Sequence, residues 1–111
     1  MLRSLFSFSG RMSRADYRRA HVAIWAMVFI PMALMYACGA ITHSIPVKLL
    51  AFSFTAAATF PAGFCLLAIN IKRAHDLGLG VLHLLIPFCF YALIFQEGEP
   101  HHNAYGPPPV A

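Results

Sequence analysis

The sequence predicts an all-α membrane protein: three transmembrane helices, the third short and open to a re-entrant reading, preceded by an amphipathic interfacial segment at the N-terminus. Composition is the first reason. At 59% hydrophobic and 11% charged over 111 residues, the chain is far more apolar than a soluble domain, which runs about 45–50% apolar and about 25% charged. So short a soluble chain would need polar residues to cover its large relative surface. The second reason is order: three apolar runs are separated by short connections that are basic or contain glycine. One domain, residues 1–111, accommodates them all.

The first run, residues 20–41, is broken only by His21 at its edge. At about 1.5 Å per residue it reaches roughly 33 Å, enough to cross a hydrocarbon core of about 30 Å. A signal peptide is the rival, but an h-region is only about 7–15 residues long and no small-x-small site follows. Residues 42–46 form a polar turn. The second run, residues 48–71, carries Ser53, Thr55 and Thr59, whose hydroxyls can bond the carbonyl one turn earlier. Ala58 with Ala62, and Thr59 with Gly63, place small residues four apart, the spacing of close helix contacts in membranes. Residues 77–95 give nineteen positions for a third span. Pro31, Pro61 and Pro87 predict bends near Met27, Ala57 and His83. The tail, residues 96–111, is polar and proline-rich and reads as extended, polyproline-like or disordered.

The net charge of +4 would suit nucleic acid, but the basic residues bracket the apolar runs. That pattern sets orientation and attracts anionic headgroups. The expected partners are therefore the lipid bilayer and its anionic phospholipid, with a homo-oligomer or a membrane-protein partner beside them, and no nucleic acid. Under the positive-inside rule the first nineteen residues and Lys72-Arg73 face the cytoplasm, and with three spans the tail faces the periplasm.

Three clusters hold the candidate site residues. In the first, residues 1–19, Ser13 can cap a helix with Asp16 three residues on, and Arg11, Arg14 and Arg18 recur at helical spacing, giving a basic face beside Phe6 and Phe8. In the second, Asp76 is placed to pair with Arg73 or with an arginine of the first cluster. His75 and Asp76 are adjacent, point apart on a helix and make no catalytic pair. In the tail, His101 and His102 lack a third ligand at metal-site spacing. Cys38, Cys65 and Cys89 all lie in apolar runs and suggest no disulfide framework. No catalytic residue, cofactor or metal is expected.

Together Phe-Ser-Phe-Ser-Gly-Arg-x-Ser-Arg-x-Asp-Tyr, Lys-Arg-Ala-His-Asp-Leu-Gly, and Gly98 with Asn103-Ala104-Tyr105-Gly106-Pro107-Pro108 resemble the bacterial inner-membrane family called domain of unknown function 805. The resemblance covers nearly the whole chain. It implies a multi-pass protein of the bacterial inner membrane and supplies no activity. Arg18, Lys72 and Val81-Leu82 depart from the usual pattern, the last pair standing where tryptophans are usual. The function expected is non-enzymatic contact with anionic lipid or a membrane partner through Arg11, Arg14, Arg18, Arg73 and Asp76. A small transporter or channel component is the alternative.

Overall fold

A computed structural model describes residues 6–86 and 89–109 of the chain. Two long helices dominate it, α1 (Arg14–Thr42) and α2 (Ile45–Asp76). Both are long and apolar enough to cross a membrane. At about 1.5 Å per residue, α2 alone is roughly 48 Å long, and the molecule measures 56 × 28 × 20 Å. Each helix therefore extends beyond the apolar run that predicted it.

The ends of these helices follow from local chemistry. Ser13 caps α1: its Oγ accepts from the Asp16 amide at 3.2 Å and donates to the Asp16 carboxylate at 2.9 Å. The turn after α1 is tighter than the predicted 42–46 connection. His43 takes a left-handed φ of 54°, and its amide bonds the Gly39 carbonyl. Ser44 then caps α2 by accepting from the Val47 amide, and Pro46 lies in the first turn, where a missing N–H costs nothing. So short a turn makes the helices antiparallel neighbours. Near it a Cβ on Gly39 would come within 2.8 Å of Lys48 Cγ.

Along the spans the hydroxyls of Ser53, Thr55 and Thr59 bond Leu49, Ala51 and Thr55 carbonyls, one turn back, as the sequence predicts. Pro31 and Pro61 lie inside continuous helices. Pro87 itself falls outside the described residues, and His83, where its bend is expected, lies in a 3₁₀ turn. Ala58 and Ala62 are half-buried, whereas Thr59 and Gly63 are exposed.

Residues 77–95 depart from the expected nineteen-residue helix. Gly78, at φ 73°, ends α2 in the left-handed conformation that glycine adopts without strain. A 3₁₀ turn (Val81–Leu85) follows, and then α3 (Cys89–Phe95), seven residues long. At about 10 Å, α3 is too short to cross a bilayer. It packs into the helix pair instead: Leu93 is fully buried in a cluster with Tyr17, Ile24, Cys65, Ile69, Ala74 and Leu77. The cluster occupies one end of the molecule.

Candidate functional site

The same end gathers nearly all the charged and polar contacts. Residues 71–77 of α2 are buried without a break, so the last turns of the helix are wrapped on every side. Polar chain does the wrapping: the arm before α1, the C-terminal end of α3 and the tail.

Asp76 is the centre, with 4% of its side chain exposed. It pairs with two arginines at once. Arg73, three residues earlier on the same helix, binds one carboxylate oxygen. Arg11 reaches the other from the N-terminal arm, its Nε donating at 3.0 Å. The two partners that the sequence left as alternatives both bind.

Neither guanidinium stops at Asp76. Arg73, wholly buried, donates from Nε to the Leu93 carbonyl at 2.9 Å, from Nη1 to the Met12 carbonyl at 3.3 Å, and from Nη2 to the Gln96 carbonyl. Arg11 donates from Nη1 to the carbonyls of His101 at 2.8 Å and Gly106 at 3.2 Å, and from Nη2 to those of Asp76 at 3.3 Å and Glu99. An arginine has five N–H donors in a fixed planar fork. The contacts of Arg11 use them all, and lysine could not reproduce that geometry.

The arm and tail are stitched to α2 by further bonds. The Met12 amide donates to the Lys72 carbonyl at 3.1 Å. His75 Nδ1 lies 3.0 Å from the Gly10 carbonyl, and since a carbonyl only accepts, that nitrogen carries the proton. The other face of the His75 ring stacks on Tyr105 at 3.8 Å, nearly parallel. The Glu99 amide donates to the Asp76 carbonyl at 2.8 Å, and Asn103 Nδ2 donates to the His75 carbonyl at 3.0 Å. The bond from Glu99 satisfies the Asp76 carbonyl, one that the end of a helix leaves without an intrahelical partner. Residues 96–109 thus form an ordered strap, turned back on itself by the paired Asn103 and Gly106, rather than the extended, polyproline-like or disordered segment that composition predicts. Gly98 is required where the strap crosses the site, because a Cβ there would land on the Asp76 carboxylate.

The site residues named from sequence divide into two groups. Arg11, Arg73 and Asp76 meet in the knot. Arg14 stands at its edge, donating to the Phe95 carbonyl at 3.0 Å and pairing with Glu97 at 3.5 Å. Arg18 is exposed and apart. The common basic face expected of Arg11, Arg14 and Arg18 does not form, because the helix begins only at Arg14 and Arg11 turns inward to the buried carboxylate. Phe6 and Phe8 rest on Phe64, with ring centroids 5.9 and 5.1 Å apart, so the arm leans along α2.

Sequence reasoning gave no site role to Glu99, Gly98, Asn103 or Tyr105. The available signal was the run Asn103-Ala104-Tyr105-Gly106, which is not low-complexity although it borders a proline tract. A second polar group sits between the helices. Tyr17 donates to Asn70 Oδ1 at 2.7 Å, with His21 Nε2 3.3 Å from the same oxygen. Among the described residues no three His, Cys, Asp or Glu side chains converge as metal ligands.

The family described as "Protein of unknown function (DUF805)" matches residues 5–107. The chain belongs to that family. The three stretches that carried the resemblance, dispersed along the sequence, are the three that meet in this knot. In this DUF805 chain the three stretches thus form one structural unit. No curated protein and no solved structure matches the chain.

Proposed function

We propose that this protein is a non-enzymatic, multi-pass protein of the bacterial inner membrane that holds anionic phospholipid at its cytoplasmic face. The observation that carries this reading is the division of labour among the arginines. Arg11 and Arg73 are consumed in building the knot and Arg14 is engaged at its edge, while Arg18 and Arg19 stand outward beside it, at the level where the apolar run of α1 begins. Guanidinium groups at headgroup depth suit bidentate contact with phosphate. The spans themselves expose large apolar side chains, among them Ile41, Phe52, Phe60 and Leu67, as lipid contact requires.

The positive-inside rule puts the knot in the cytoplasm, with Lys48 at the opposite end. Residues 77–95 start at the knot and end there, since Phe95 and Gln96 accept from Arg14 and Arg73. This supports a re-entrant excursion and a cytoplasmic tail, in place of the periplasmic tail that three spans would give. A reporter active only in the cytoplasm, fused after Ala111, is expected to be active; a silent reporter would overturn this topology.

A channel or transporter component is less well supported, because Ser53, Thr55 and Thr59 spend their hydroxyls on their own helix. Native mass spectrometry of protein taken from liposomes of equal phosphatidylglycerol and phosphatidylethanolamine tests the lipid reading. Preferential retention of phosphatidylglycerol is expected. Equal retention of the two, or retention of neither, would sink the proposal.

A further inference from the structure

Beside the knot, on the outer face of α1, Arg18, Arg19, Val22, Ala23 and Ala26 line a shallow, open groove. We infer that this groove is the seat of one anionic glycerophospholipid, with its phosphate on Arg18 and Arg19 and one acyl chain along Val22, Ala23 and Ala26. The inference rests on the lipid reading above and gives it a place.

Spacing puts the five residues on one face. Positions 18, 19, 22, 23 and 26 follow the helical repeat, and Arg18 and Ala26, eight positions apart, are separated by about 12 Å along the axis. The cationic end stands where α1 enters its apolar run, so it meets headgroups, and everything below it is apolar. Ala23 and Ala26 are small, and they leave the hollow beside Val22, which is itself 70% exposed. Nothing in the lower lining can hydrogen-bond. A charged head joined to a hydrocarbon tail matches that sequence of environments.

The charges are available. Arg18 makes no ion pair or hydrogen bond among the described residues. Arg19 has only the exposed Asp16 at 3.7 Å, a pair of the kind that contributes little in water. Arg18 also borders the neighbouring hollow that Glu97 and Glu99 line. Those acids are engaged elsewhere: Glu97 faces Arg14 at 3.5 Å, and Glu99 accepts from Asn103 at 2.7 Å. The knot therefore keeps its carboxylates away from the groove and leaves a net positive mouth.

The test compares three proteins in the same mixed liposomes by native mass spectrometry: the unaltered chain, Arg18→Gln with Arg19→Gln, and Ala23→Leu with Ala26→Leu. The second double variant fills the groove and keeps every charge, so orientation is preserved. The glutamine variant is expected to retain about tenfold less phosphatidylglycerol, the scale of losing a charge-assisted hydrogen bond, and the leucine variant to lose retention as well because the acyl seat is filled, with helix content by circular dichroism unchanged in both. If the leucines leave retention intact while the glutamines abolish it, the contact is headgroup-only and the groove assignment is wrong. If both variants bind like the unaltered chain, lipid sits elsewhere and only this inference fails. Absence of selective retention by the unaltered chain would instead remove the broader reading with it.

Discussion

The two ends of the helix pair are held by opposite kinds of contact. At the turn, His43 and Ser44 join α1 to α2 through backbone bonds and one hydroxyl cap, and most side chains there face outward. Gly39 and Ala51 are the buried residues nearest that end. At the knot, Lys72, Arg73, His75 and Asp76 are all buried beside Tyr17, Ile69 and Leu93. The usual rule for water-soluble proteins, apolar inside and charged outside, is inverted. A bilayer covers apolar surface without cost, so the spans need little mutual burial. Charges that stand next to the bilayer gain by neutralising one another within the protein.

Removing Asp76 should break this contrast most severely. Asp76→Ala strands two buried guanidiniums without their shared counter-charge, a change that costs about 3–5 kcal/mol for a buried pair. Thermal unfolding in detergent micelles should show a large drop in Tm. Limited proteolysis should cut the tail of this variant well before that of the unaltered protein. An unaltered Tm would mean that the arginines are satisfied by carbonyls alone.

Gly98→Ala attacks the same centre through shape. The new methyl must displace the Asp76 carboxylate, and overpacking of this kind costs about 1–3 kcal/mol. Gly63→Ala provides the matching control, since nothing lies within 4 Å of a Cβ there. That substitution should leave the Tm unchanged or raise it, by up to about 1 kcal/mol of helix propensity. Equal effects at the two glycines would erase the proposed difference between knot and span.

A smaller loss, about 1 kcal/mol, is expected from Asn103→Ala, which removes the bonds to the His75 carbonyl and the Glu99 carboxylate. Its signature is faster hydrogen exchange in the strap, with protection of α1 and α2 retained. The smallest effect belongs to the span. Thr59→Ala deletes only a bond to its own helix and should change stability by less than about 0.5 kcal/mol. A larger effect would reveal that Thr59 contacts another copy or partner in the membrane.

How much was legible varied with the range of the interaction. Both long helices, the Ser13 cap and the hydroxyl bonds of Ser53, Thr55 and Thr59 depend on neighbours within one or two turns, and local pattern suffices for these. Membership of the DUF805 family was also readable from the order of three short stretches.

Asp76 marks the boundary. Its residue type and its position three after Arg73 announced an ion pair. That Arg11, sixty-five positions away, would claim the other oxygen could be named only as an alternative. The fate of residues 77–95 and of the tail was less accessible still. Hydropathy measures how apolar a run is, and fifteen to nineteen apolar residues satisfy a span and a re-entrant segment alike. The structure adds what hydropathy does not carry: the far end of this stretch returns to the knot, where the Leu93 and Gln96 carbonyls bind Arg73 and the tail carbonyls bind Arg11. Sequence by itself determined the two long helices, the Ser13 cap and the family; tertiary structure alone decided which backbone carbonyls would surround two buried arginines, since carbonyls are common to every residue and leave no mark in the pattern of side chains.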